Sequence, residues 1–113
     1  MAEERRKKLR AAITRPVIIY LSNGSKVHAY IIDLAENGIA IKTAMPAGIG
    51  AELTFKFSFP LKNQTHDFVV KGKVIYCHLR ADKYVSGIQF INMKKEYGKL
   101  FKGIILEVNS KRT

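Results

Sequence analysis

Arginines with the chemistry to hold an anion are concentrated at the start of the chain. The run Arg5-Arg6-Lys7-Lys8-Leu9-Arg10 places Arg6 and Arg10 four positions apart. A guanidinium group donates paired hydrogen bonds to phosphate oxygens or to the O6/N7 edge of guanine, and it stacks on base faces. The run is therefore a candidate anion-binding arm. The alternative is a solvated run of charge, because any basic tail contains such spacings.

A second short motif, Asp33-Leu34-Ala35-Glu36-Asn37-Gly38, follows further along the chain. An aspartate at the end of a strand can accept hydrogen bonds from the N1–H and N2–H₂ groups of guanine at once. A glycine at the sixth position lets a neighbouring backbone or a ligand approach closely. The alternative is an ordinary hairpin turn, since Asp, Asn and Gly all favour turns.

No catalytic or metal-binding set is evident in the sequence. The three histidines, His28, His66 and His78, do not share a metal-site spacing with Cys77, and adjacent strand residues such as Cys77 and His78 point to opposite faces. A P-loop, a nucleophile elbow and a G-x-G-x-x-G phosphate loop are absent. We expect a protein that is not an enzyme and has no resident metal or cofactor.

Charge and composition point to an anionic partner. Twenty Lys and Arg residues against nine Asp and Glu give the 113-residue chain a formal net charge of +11. Such a charge favours a nucleotide, a nucleic acid, an acidic protein or a membrane surface, although a lysine-rich surface also simply keeps proteins soluble. The single cysteine permits a reducing compartment, and no apolar run suits a leader or a membrane span. We expect a cytoplasmic protein without membrane insertion.

Hydrophobic periodicity predicts six strands. The clearest is Ala51 to Phe59, in which apolar and polar residues alternate with a period of two. Asn23-Gly24 predicts a hairpin, Pro60 should end the alternating strand, and Lys62 to Thr65 should form a loop. The other predicted strands are Val17 to Leu21, Lys26 to Leu34, Ile39 to Thr43, Phe68 to Leu79 and Tyr84 to Ile91.

The period then changes to that of an amphipathic helix. Its apolar stripe consists of Tyr97, Leu100, Phe101, Ile104, Ile105 and Val108. Because the strands are joined by short connections, the sheet must be antiparallel. We predict a mainly β fold: a six-stranded antiparallel barrel whose C-terminal helix covers one opening or face. The predicted organisation is a basic arm at residues 1–15, the barrel and helix at residues 16–108, and a tail at residues 109–113.

Together these features resemble the PilZ domain family of bacterial cyclic di-GMP receptors. That family carries R-x-x-x-R in an N-terminal arm and [D/N]-x-S-x-x-G on a barrel strand about twenty to thirty residues later. Downstream, Gly72-Lys73-Val74-Ile75-Tyr76 and Ser86-Gly87-Ile88-Gln89-Phe90 also match family strand patterns. The resemblance covers roughly residues 4 to 106.

The resemblance implies a role for each motif residue. Arg5, Arg6 and Arg10 would wrap the ligand, Asp33 would bind a guanine edge, and Gly38 would permit the close turn. Tyr76 would either contact a base or serve as a barrel side chain.

One residue departs from the family motif. Ala35 replaces the motif serine. The missing hydroxyl hydrogen bond costs about 0.5–1.5 kcal/mol, or about three- to tenfold in affinity.

By this resemblance the chain is a bacterial cytoplasmic adaptor, a monomer or weak dimer. Cyclic di-GMP would order the arm, and the resulting surface would engage an effector protein in control of motility, pili, biofilm or exopolysaccharide. One alternative, motivated by Ala35, is a PilZ-like protein-interaction module with weak or no nucleotide binding. Another, motivated by charge, is a small basic barrel that binds nucleic acid. Specific nucleic-acid binding is disfavoured because the aromatics mostly occupy predicted core positions.

Overall fold

A computed structural model of the chain describes residues 9–111. Six strands precede one helix: β1 (Arg10–Tyr20), β2 (Lys26–Ala35), β3 (Gly38–Thr43), β4 (Glu52–Leu61), β5 (Gln64–Arg80), β6 (Lys83–Ile91) and α1 (Lys95–Ser110). The strands close into an antiparallel barrel in the order β1-β2-β3-β6-β5-β4. The predicted six-stranded barrel with a C-terminal helix is confirmed.

The barrel interior is built from the period-two pattern of the strands. Phe55, Phe57 and Phe59 alternate along β4 and are all buried, as their spacing predicts. β4 also closes the barrel by pairing with β1, from Val17 opposite Phe57 to Tyr20 opposite Thr54. All six phenylalanines of the chain are buried, so the phenylalanines form the core rather than a binding surface.

Helix α1 packs its apolar stripe against the phenylalanine core. Phe101, Ile104 and Ile105 are fully buried, and the Phe101 ring centroid lies 4.6 Å from that of Phe68. The helix runs to Ser110, so it includes the first two residues of the predicted tail. Near its end, Asn109 Nδ2 donates a hydrogen bond to the backbone oxygen of Arg10 at 3.1 Å. The helix thereby fixes the beginning of β1. Within residues 9–111, no helix combines the length and apolar character needed to cross a membrane.

The first strand begins earlier than predicted. It starts at Arg10 rather than Val17 and passes through Pro16, so residues 10–15 of the predicted arm belong to the sheet. Proline is tolerated where a neighbouring strand does not need its N–H, and the β1–β4 pairing begins one residue later, at Val17. Arg15 supports this segment by donating from Nε to the backbone oxygen of Ser58 at 3.0 Å.

The connection between β4 and β5 is shorter than predicted. Pro60 does not end β4, which continues to Leu61, and the predicted loop from Lys62 to Thr65 is a two-residue turn. Lys62 and Asn63 have φ angles of 51° and 65°. Positive φ at both central residues is typical of the tight hairpin turn that matches strand twist. As a result β5 begins at Gln64, four residues before the predicted start.

Candidate functional site

A surface cavity of about 260 Å³ lies where the start of β1, the β2–β3 turn and the middle of β5 and β6 meet. It brings together five residues that the sequence motifs singled out: Arg10, Asp33, Ala35, Gly38 and Tyr76. These residues come from four different strands, so the folding of the barrel assembles them. Arg5 and Arg6, the other two predicted ligand-binding residues, lie outside the described part of the chain.

The charged part of the cavity is an ion pair. Arg10 Nη2 donates to Asp33 Oδ2 at 2.7 Å. The Arg10 side chain is 71% exposed, whereas that of Asp33 is only 20% exposed. Because a guanidinium carries five N–H donors, Arg10 retains donors for a further anionic group while it holds Asp33.

Two irregularities in the sheet set the positions of this pair. The β1–β2 register shifts between Ala12 and Arg15, and the β2–β3 register shifts between Ile31 and Asp33. Such bulges bend a strand and change the direction of its side chains, and they are common beside functional sites. Here they lie next to the strand end that carries Arg10 and the one that carries Asp33.

The β2–β3 turn contributes Ala35 and Gly38, which face each other across it. A Cβ on Gly38 would lie 2.2 Å from the carbonyl oxygen of Ile88, so only glycine allows β3 to approach β6 so closely. The turn is further fastened to β6, since Phe90 N donates to the backbone oxygen of Asn37 at 2.9 Å. The need for glycine therefore arises from strand packing. Ala35 also lines the cavity.

An aromatic residue forms another part of the cavity wall. Tyr76 lies across from Gly87, and a Cβ on Gly87 would come within 2.1 Å of the tyrosine ring. The ring also stacks on His78, with centroids 5.1 Å apart. Tyr76 is therefore both a packed barrel side chain and a ring that lines the cavity.

Sequence reasoning missed part of this wall. Ile75 and Gly87 also line the cavity, although neither belongs to the two short motifs. The sequence signal that could have identified this wall is Gly87, because a glycine inside a strand often marks a site where a neighbouring group approaches closely. The β5 register shifts between Val74 and Tyr76, directly opposite this glycine.

The described residues offer no metal site. Within residues 9–111, no three His, Cys, Asp or Glu side chains cluster in a way that would hold a metal ion. Cys77 is partly buried, and its neighbour His78 is exposed.

Several solved structures are similar to this fold. The Bacillus subtilis inhibitor of motility (MotI/DgrA) has a TM-score of 0.84 and 13% identity, covering 96% of this chain and 53% of that one. YcgR from Escherichia coli in complex with c-di-GMP has a TM-score of 0.79 and 16% identity, covering 95% of this chain and 47% of that one. The PilZ domain of YcgR with c-di-GMP has a TM-score of 0.77 and 16% identity, covering 95% and 93%.

This chain spans about half the length of the first two of these proteins. At such low identity the structural similarity establishes the fold alone. No curated protein matches the sequence closely enough to count as a relative. A model of the PilZ domain family, however, matches residues 4–107, which is nearly the whole chain. The protein therefore belongs to the PilZ domain family.

Proposed function

We propose that this chain binds cyclic di-GMP in the cavity beside Arg10 and Asp33 and acts as a signalling adaptor. The single observation that carries the proposal is the convergence of Arg10, Asp33, Ala35 and Gly38 in one cavity. These positions correspond to the two sequence motifs of the family. Two of the similar structures are YcgR proteins with c-di-GMP, which supports the choice of ligand.

The chemistry of the cavity suits a guanine dinucleotide. The exposed guanidinium of Arg10 would donate to a phosphate or to the O6/N7 edge of guanine. The carboxylate of Asp33 would accept from N1–H and N2–H₂ of a guanine. The ring of Tyr76 would offer a face or an edge to a base.

Arg5 and Arg6 complete the proposed site by family resemblance. In this proposal they close over the ligand's phosphates and bases, and the surface formed by arm, ligand and barrel engages an effector protein. The process controlled would be motility, pilus function, biofilm or exopolysaccharide production. The arm would be linked to the barrel through β1, which begins at Arg10. The backbone oxygen of Arg10 accepts a hydrogen bond from Asn109 of α1, which holds this end of the strand in place.

A second candidate function is a protein-interaction module with weak or no nucleotide binding. Two observations favour it: Ala35 lacks the motif hydroxyl, and Arg10 already occupies an oxygen of Asp33. A guanine would have to share or displace that contact. In this case partner binding would be insensitive to cyclic di-GMP.

An NMR titration of the ¹⁵N-labelled protein at physiological salt tests the proposal. Cyclic di-GMP should shift the backbone amides of Asp33, Ala35 and Gly38 and leave the exposed face of α1 unchanged. Cyclic di-AMP is the matched control, because it keeps both phosphates but lacks the guanine edges. No shifts with cyclic di-GMP would refute nucleotide binding at this site. Equal shifts with both dinucleotides would refute the role of Asp33 in reading guanine.

A further inference from the structure

Strand β5 extends past its neighbour β4, and within residues 9–111 one edge of this extension has no strand partner. The last hydrogen bonds on that side join Gly50 N to Val74 O at 2.8 Å and Val74 N to Ala51 O at 3.0 Å. Beyond Val74, Ile75 lies in a register shift, and residues 76–80 pair with β6 alone among the strands that the structure describes. Among the described residues, this segment therefore presents an open edge to which another extended chain can be added.

One face of the open edge continues the barrel interior. Cys77 pairs with Ser86, which is fully buried. Paired and alternate strand residues lie on one face, so Cys77 and Leu79 lie on the face of β5 that faces the barrel interior. Leu79 is nevertheless 62% exposed. An exposed leucine beside an unpaired edge is the arrangement that strand addition would bury.

The edge adjoins an apolar mouth of the barrel. A cavity of about 360 Å³ opens there, lined by Val74 of β5 and by residues of the β3–β4 loop, including Met45 and Gly48. Met45 and its loop neighbour Ile49 are both largely exposed. A strand added to residues 75–80 would lie on the same side of β5 as β4. It would occupy the place where β4 stops pairing with β5, beyond Gly50. Its inward side chains would point at this mouth.

Charge indicates which kind of chain fits. Between Lys71 and Arg80, β5 carries three lysine or arginine residues and no carboxylate. A second copy of this protein, paired antiparallel edge to edge, would bring Arg80 of each molecule towards the lysines of the other. Like charges across a strand pair are unfavourable, whereas acidic residues would be attracted. The charge pattern thus favours a different chain over a dimer.

We propose that residues 75–80 and the adjoining mouth bind an extended acidic segment of a partner protein by strand addition. In that segment apolar residues, directed at the mouth, alternate with acidic residues that lie beside Arg80 and Lys73. Tyr76 belongs to the open edge and also lines the cavity of Arg10 and Asp33, so the two sites adjoin. Strand addition at this edge does not require a bound nucleotide.

Two synthetic peptides test this site by fluorescence anisotropy with the full chain. One alternates valine with glutamate, and its control alternates valine with lysine. The glutamate peptide should bind at least about tenfold more tightly, and it should slow hydrogen exchange of backbone amides within residues 75–80. Equal affinity of the two peptides, or protection only elsewhere, would overturn the proposal. So would protection of residues 75–80 that grows with protein concentration without peptide, because the occupant would then be a second copy.

Variants of exposed residues locate the contact. Leu79→Ser should weaken binding of the glutamate peptide by about tenfold, because an apolar contact is lost. Leu106→Ser, which changes a 50% exposed leucine on α1, should leave it unchanged. Arg80→Gln should also weaken binding, whereas Lys95→Gln, at an exposed position on α1, should not. Equal effects within either pair would contradict the assignment.

Discussion

Arg10 Nη2 lies 2.7 Å from Asp33 Oδ2, which joins two charged residues of the proposed ligand site in an ion pair. The arginine is largely exposed, so water screens the interaction. Exposed ion pairs contribute about 0–1 kcal/mol to stability. The pair therefore holds the two side chains together while adding little to the stability of the fold.

Replacing Arg10 should separate affinity from stability. Arg10→Ala should lower the free energy of unfolding by less than about 1 kcal/mol. It should lower cyclic di-GMP affinity by about 10- to 100-fold, because a charge-assisted hydrogen bond is lost. Urea unfolding and calorimetry measure the two quantities, with Lys95→Ala as the charge-matched control. An unchanged affinity would rule out the proposed role of Arg10.

Replacing Gly38 should disturb the contact between β3 and β6. The added Cβ of Gly38→Ala would collide with the Ile88 carbonyl, so we expect a destabilisation of about 1–3 kcal/mol. Gly48→Ala is the control, since a Cβ there meets nothing within 4 Å and the residue has no positive φ. The control should change stability by less than about 1 kcal/mol. Equal urea midpoints for the two variants would contradict the close-approach explanation.

Tyr76 variants distinguish ligand contact from packing. If the ring stacks on a guanine, Tyr76→Ala should weaken cyclic di-GMP binding by about five- to 100-fold, the range expected from base–aromatic stacking. Tyr76→Phe keeps the ring and should bind within about threefold of the native protein. If Tyr76→Ala changes only the unfolding midpoint, the tyrosine is a barrel side chain that covers Gly87.

The core and the surface of helix α1 should respond differently to truncation. Phe101→Ala should cost about 3–5 kcal/mol, because the buried ring packs among Phe57, Phe68 and Phe90. Leu106→Ala, on the exposed side, should cost less than about 1 kcal/mol. Thermal unfolding of both variants checks this difference. Similar melting temperatures would mean that α1 does not close the core.

The strands and the helix were predictable because burial follows simple periods. The period of two predicted β4, and the helical stripe predicted α1, since one face of each element is buried in the core. The start of β1 was not predictable. Pro16 normally signals an interruption, and only the pairing of β1 with β2, in which Pro16 lies opposite Tyr30, shows that the strand continues through it.

Part of the cavity lining was predictable from the sequence, but its geometry was not. The motifs named Arg10, Asp33 and Gly38, yet the ion pair depends on bulges in β1 and β2 that no local pattern indicates. Likewise, the reason for Gly38 is the carbonyl of Ile88, which lies on a strand far along the sequence. Contacts set by barrel closure cannot be inferred from one segment alone.

Calorimetric titration of the native protein and of Ala35→Ser with cyclic di-GMP, at physiological salt, tests the central claim most directly. Ala35 lines the cavity, so the new hydroxyl would lie at the proposed ligand site. We predict saturable heat for both proteins, with Ala35→Ser binding about three- to tenfold more tightly because one hydrogen bond is restored. Absence of binding heat in both proteins would contradict the assignment of this cavity to cyclic di-GMP.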